Sequence, residues 1–179
     1  MLRLWDVTTV KTRWTIQKKE LIKVLYTGSL ETAFTIQARF FPDKEAQARF
    51  FLNTLCRAGS CDYANFCPEE FDLFQVFFRS YNMGRGSIRW TSPVPRVKDP
   101  EYEGKSALWD IFACVKDTKV LDTVSNLLVI LHTNVQQSRM QQVQQELMDK
   151  CLSYISSASA CPTLTSRCIN LILLLFRVF

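Results

Sequence analysis

Residues 105–131 read KSALWDIFACVKDTKVLDTVSNLLVIL and contain two apolar stripes with the three-to-four spacing of an α-helix. The two stripes comprise Ala107, Leu108, Ile111, Phe112 and Val115, and then Val120, Val124, Leu127, Leu128 and Leu131. Only the segment 116–119 separates them. Because so short a connection makes the second helix fold back on the first, the pattern predicts an antiparallel helix pair, the unit of α-hairpin and armadillo-like folds.

Helix signals of the same kind recur along the chain, whereas alternating strand patterns do not. Further helices are predicted over residues 15–26, 30–41 and 43–58, from Pro68 onward, and over 138–155. We therefore predict an all-α fold, an armadillo/HEAT-like α-solenoid segment of stacked antiparallel helix pairs. It would comprise N-terminal helical repeats (residues 1–82), a loop (83–104) and C-terminal helical repeats (105–179). A compact helical bundle stays open as the alternative.

The predicted loop, residues 83–104, contains three glycines and three prolines and shows no sustained period. Five cations lie in or next to this loop, close to Trp90: Arg85, Arg89, Arg96, Lys98 and Lys105. They allow two interpretations, a basic surface for a protein partner or a solvated crossover between the helical regions. We prefer the solvated crossover.

Composition excludes several classes of function. The formal charge is +5, but lysines and arginines are scattered among acids, so nucleic-acid binding is not predicted. The chain has seven cysteines, an odd number, and its first residues lack the apolar stretch of a secretory signal. These features predict reduced thiols and a location in the cytoplasm or also in the nucleus.

The longest apolar run, residues 169–176, is shorter than the roughly 20 residues of a membrane span. A buried helix is predicted there. The C-terminal end of this apolar sequence is either native or an artefact of truncation.

No motif for chemistry is complete. His132, the only histidine, has no cysteine or hydroxyl in an activating motif nearby, and a nucleophile needs a positioned base. Cys56, Cys61 and Cys67 lack the Cys-x-x-Cys spacing of structural zinc sites. The glycines of residues 84–87 lack the preceding strand and following helix of a phosphate-binding loop. We therefore predict no catalytic residue, no metal ligand, no cofactor-binding residue and no cofactor.

Residues 67–134 match a known pattern of packing residues, from CPEEFDLFQVFFRSYN at 67–82 through the loop to GKSALWD at 104–110 and on to LHTN at 131–134. They resemble the helical-repeat region of the very large ubiquitin-specific proteases of the fat-facets type. The matching positions are Phe77, Phe78, Asn82, Leu108, Trp109, Leu127 and Leu128. Residues 146–155 are similar to the helix that follows in that family. The resemblance covers about half the chain.

The resemblance implies a non-catalytic helical scaffold fragment of a large deubiquitinase, a ubiquitin carboxyl-terminal hydrolase, that shapes substrate or partner access. In that family a Cys/His/Asp-type site in a separate domain cleaves ubiquitin, and its cysteine box joins glycine, Asn, Thr and Cys before an aromatic residue. Residues 53–56 read NTLC, but Arg57 follows them, and His132 is not in the family's histidine motif. Activity would therefore belong to the parent protein. Protein partners are implied, ubiquitinated substrates among them.

Two other hypotheses remain. The chain is either a stand-alone armadillo-like adaptor without enzymatic activity or a self-contained cysteine hydrolase. A hydrolase would react with a ubiquitin probe at one of the seven thiols, and we expect no such reaction. The sequence does not identify the partner, the binding face or the oligomeric state.

Overall fold

The computed structural model of the chain describes residues 43–56, 62–90, 94–157 and 161–177. Within these ranges the fold is mostly helical, with six α-helices that pack against their neighbours and a minor two-stranded hairpin. This confirms the predicted helical class, with the hairpin as an exception. The helices predicted over residues 15–26 and 30–41 lie outside the described ranges. The solenoid arrangement stays a prediction.

The first described helix, α1 (Lys44–Phe50), begins where the Asp43 carboxylate accepts a hydrogen bond of 2.8 Å from the backbone N–H of Glu45. Such a cap satisfies one of the free N–H groups of the first helical turn. A π-helical turn, Phe51–Leu55, continues the helix. A 3-10 turn, Tyr63–Asn65, precedes the next helix.

Helix α2 (Pro68–Arg85) begins at the predicted proline. The backbone N–H of Cys67 donates to the Glu70 carboxylate at 3.0 Å, so the first turn is capped. Its four phenylalanines are almost fully buried: Phe71, Phe74, Phe77 and Phe78. The ring of Phe51 lies 5.9 Å from that of Phe74, which joins the π-helical turn to α2. The helix ends at Gly86 in the left-handed conformation.

The segment 83–104 differs from the irregular loop that the sequence predicted. Helix α2 extends into it, and two short strands follow, β1 (Ile88–Arg89) and β2 (Arg96–Val97). The strands are antiparallel, with Ile88 opposite Val97 and Arg89 opposite Arg96. Ile88 and Val97 are buried, so the hairpin packs on the helical body. The prediction missed it because two-residue strands are too short to show the alternation that identifies a strand.

The predicted antiparallel pair is formed by α3 (Lys105–Cys114) and α4 (Thr118–Thr133). The Asp117 carboxylate caps α4 by accepting from the backbone N–H groups of Lys119 and Val120, at 2.9 and 3.0 Å. All ten residues of the two predicted stripes are buried in one core cluster with the phenylalanines of α2. The pair therefore forms the centre of the described fold.

Two further helices complete the described structure, α5 (Gln137–Ser157) and α6 (Pro162–Arg177). Helix α6 packs against α3, α4 and α5. It buries Cys168, Leu171 and Leu175 in the same core cluster. Because its opposite face is exposed, the prediction of a buried helix is right for one face only.

Candidate functional site

His132 lies near the end of α4 and is almost completely buried. Its Nδ1 lies 2.6 Å from the carbonyl oxygen of Leu128. Because a carbonyl only accepts, Nδ1 carries the proton and donates it to this bond. Burial lowers the pKa of His132 to about 4, so the ring is neutral at pH 7. No nucleophile among the described residues forms a hydrogen bond with this ring. The arrangement therefore lacks the nucleophile–base contact of covalent catalysis.

A polar cavity of about 550 Å³ lies beside His132, where the segment before α3 meets α3, α4 and α5. Its lining includes Lys105, Trp109 and Tyr154. The Lys105 ammonium lies 3.0 Å from the Glu101 carboxylate and 3.2 Å from that of Glu146. These ion pairs neutralise Lys105 and join α3 to α5. Because the His132 ring is hydrogen-bonded only to the Leu128 carbonyl and Lys105 is paired with two carboxylates, the cavity holds no nucleophile in contact with a base.

Among the described cysteines, Cys151 and Cys168 are buried and Cys67 is partly buried, whereas Cys114 and Cys161 are exposed. Burial raises the pKa of Cys67 to about 11 and that of Cys151 to about 12, so both stay protonated at pH 7. Cys151 and Cys168 are fully buried in the core where α5 packs against α6. Cys61 of the weak zinc pattern lies outside the described ranges. Among the residues that the structure describes, no group of three His, Cys, Asp or Glu side chains is arranged to hold a metal ion.

The structure separates the five cations of the predicted basic surface. Arg85 forms an ion pair of 3.0 Å with Glu103. Lys105 is paired in the polar cavity, whereas Arg89, Arg96 and Lys98 project from the hairpin and are exposed. Trp90 packs edge-on against Phe78, with ring centroids 6.0 Å apart, and Arg79 lies over its indole ring. Only the three hairpin cations therefore remain as an exposed basic group.

The outer face of α6 is an exposed apolar surface in the described part of the chain. Ile169, Leu173 and Phe176 are 48%, 50% and 64% exposed and form one stripe at helical spacing. We call these three residues the α6 stripe. Sequence reasoning missed it, although residues 168–176 are apolar on nearly all sides of the helix. That pattern is typical of a helix covered on both faces.

A second residue that sequence reasoning missed is Arg167. Its guanidinium donates to the carbonyl oxygens of Phe112 and Ala113, each at 2.9 Å, and to that of Val115. The signal was a cation near the start of the helix, between the hydroxylated residues that precede it and the mostly apolar residues that follow it. Arg167 attaches α6 to the end of α3 and so determines which face of α6 points outward.

Comparison with known protein families, curated proteins and solved structures finds no match to this chain. In the described part of the chain, none of the helices is both long and apolar enough to cross a membrane.

Proposed function

We propose that this chain is a non-catalytic helical scaffold from a large deubiquitinase, and that it shapes the access of substrates or partners to a catalytic domain elsewhere in the parent protein. In this proposal the helices form part of an armadillo-like α-solenoid, and the protein acts in the cytoplasm. The ligands of such a scaffold are other proteins, ubiquitinated substrates among them.

The resemblance supports this proposal through positions that have a structural explanation. Phe77, Phe78, Leu108 and Leu128 are buried in the core. Asn82 is also fully buried, and its side chain hydrogen-bonds to the backbone of Phe78 and Glu103. These residues determine how α2 and the α3–α4 pair pack. The resemblance at these positions therefore concerns the packing of a scaffold, because none of these side chains takes part in a reaction.

The observation that carries the proposal is the α6 stripe. Helix α6 is already packed on three helices through its inner face, yet its outer face presents three large apolar side chains to solvent. In a stack of helix pairs, each pair buries its outer face against the next pair. We infer that the α6 stripe is the stacking face for a further helix pair of the parent polypeptide.

The experiment is to sequence full-length transcripts and to treat the 179-residue chain with a ubiquitin-based probe that alkylates active-site cysteines. The proposal expects a downstream cysteine box and histidine box in the transcript and no labelled cysteine in the chain. The catalytic domain encoded by the same transcript is the positive control. Labelling of a thiol within residues 1–179 would establish a hydrolase and overturn the proposal.

The alternative is a stand-alone helical adaptor that binds partners through the α6 stripe. It is favoured by the same exposed apolar face, because an adaptor also needs an uncovered surface. A natural stop codon after Phe179 in full-length transcripts would support it over the deubiquitinase scaffold.

A further inference from the structure

We propose that the outer face of the hairpin binds an acidic peptide segment, and that Arg89 and Arg96 are the binding residues. This surface lies on β1 and β2, apart from the α6 stripe. The inference does not depend on whether the parent protein is a deubiquitinase.

The two arginines are placed directly opposite each other. Arg89 of β1 pairs with Arg96 of β2 in the antiparallel register, and both are exposed. Their neighbours Ile88 and Val97 point into the core. Because side chains alternate between the two faces of a strand, the guanidinium groups project together from the outer face. Like charges directly opposite on neighbouring strands destabilise the pair.

No acid within the described residues neutralises this pair. Arg89 and Arg96 form neither a salt bridge nor a side-chain hydrogen bond there. Among the acids of the segment after β2, Glu103 pairs with Arg85 and Glu101 pairs with Lys105, while Asp99 forms no ion pair with either arginine. Lys98 adds a third exposed cation next to β2. An anion from another molecule would therefore relieve a repulsion that the fold leaves uncompensated.

The hairpin holds the two arginines on a supported backbone. The backbone N–H of Val97 donates to the carbonyl oxygen of Asn134 at 2.8 Å, which ties β2 to the connection between α4 and α5. The N–H groups of Lys98 and Asp99 both donate to the carbonyl oxygen of Ser87, at 2.9 and 3.1 Å. A site that is already ordered loses less entropy when it binds.

The charges fit carboxylates better than nucleic acid. Each guanidinium can hold one carboxylate through two parallel hydrogen bonds. The hairpin offers only three cations, whereas strong nucleic-acid binding typically involves roughly six to ten phosphate contacts. A cavity of about 510 Å³ opens beside Arg96, with Pro95, Thr133 and Met140 in its lining. It offers space for a side chain that neighbours the acids of a bound peptide.

The test measures binding of a fluorescent polyglutamate peptide to the full chain by anisotropy at low ionic strength. A polyglutamine peptide of equal length and a single-stranded oligonucleotide of equal net charge are the comparison ligands. We expect the chain to bind polyglutamate and not polyglutamine. Arg89→Gln and Arg96→Gln should each weaken binding about tenfold, which corresponds to the loss of one charge-assisted contact. Arg177→Gln, at an exposed arginine on α6, is the matched control and should change nothing.

A second variant separates this role from a structural one. Arg96→Glu places an acid opposite Arg89, so it should raise the melting temperature while abolishing polyglutamate binding. If the arginine pair has only a structural role, Arg96→Glu will still raise the melting temperature, but the original chain will not bind polyglutamate. Three results would each overturn the proposal. They are no binding of polyglutamate by the original chain, equal binding by a variant that carries both Arg89→Gln and Arg96→Gln, and tighter binding of the oligonucleotide than of polyglutamate.

Discussion

The Arg167 guanidinium on α6 donates a hydrogen bond of 2.9 Å to the carbonyl oxygen of Phe112 on α3. It also bonds to the carbonyl oxygens of Ala113 and Val115. Because the last carbonyls of a helix have no partner within it, Arg167 caps the C-terminus of α3 and fixes α6 against the central pair.

Replacing Arg167 should therefore loosen α6. We expect Arg167→Met to lower the free energy of unfolding by about 2 to 4 kcal/mol, since charge-assisted hydrogen bonds are lost and carbonyl groups are left without partners. Arg167→Lys should lower the free energy of unfolding by less, because the lysine ammonium replaces part of the hydrogen bonding of the guanidinium. Urea denaturation measures both. Arg177→Met, at an exposed position, is the control and should stay within about 0.5 kcal/mol of the original chain. Equal effects at the two positions would contradict the capping role.

Gly104 should not tolerate a side chain. It precedes α3 with a φ of 84°, and an added Cβ would lie 2.9 Å from Cζ of Phe51. We expect Gly104→Ala to destabilise the fold by about 2 kcal/mol or more, from backbone strain and the clash together. Gly84→Ala is the matched control, because Gly84 lies within α2 and a Cβ there meets nothing within 4 Å. It should stabilise the fold by about 0.5 to 1 kcal/mol. A loss of stability at Gly84, or none at Gly104, would contradict the structure.

His132 should make stability depend on pH. Burial lowers its pKa to about 4 in the folded chain, below the ordinary value of 6.5. The unfolded chain therefore takes up the proton first, so this contribution to stability is complete above about pH 6.5 and is lost as the pH falls toward 4. The loss should approach about 3 kcal/mol. His132→Gln should flatten the plot of unfolding free energy against pH in this window, and an unchanged slope would contradict the burial of a neutral ring.

Asn82 should be required for joining α2 to the segment before α3. Its Nδ2 donates to the carbonyl oxygens of Phe78 and Glu103, both at 3.0 Å, and its Oδ1 accepts from the N–H of Glu103 at 3.1 Å. Asn82→Ala should cost about 2 to 3 kcal/mol in thermal or urea denaturation, because buried backbone groups lose their partners. Asn126→Ala, on the exposed face of α4, should be neutral or slightly stabilising. A neutral Asn82→Ala variant would contradict this role.

The helices of the centre could be predicted because their residues give consistent local signals. Pro68, the spacing of the apolar residues and the short connection at residues 116–119 each act within a few residues of sequence. These local signals together predicted α2, α3 and α4, and also most of α5.

What could not be predicted depends on contacts between distant residues. The hairpin is stabilised by burial of Ile88 and Val97 and by the bond from Val97 to Asn134, none of which leaves a local pattern. Likewise, Arg167 reaches carbonyls that lie more than 50 positions away. Periodicity showed that α6 is apolar, but it did not show that Ile169 and Leu173 stay uncovered.

Hydrogen–deuterium exchange of α6 is the most direct test of the scaffold proposal. It compares residues 162–177 in the 179-residue chain with the same residues in the polypeptide encoded by the full-length transcript. If a further helix pair covers the α6 stripe, these amides should exchange at least about tenfold more slowly in the longer polypeptide, while α4 stays unchanged. Equal exchange of α6 in both proteins, or a transcript that ends at Phe179, would contradict the proposal.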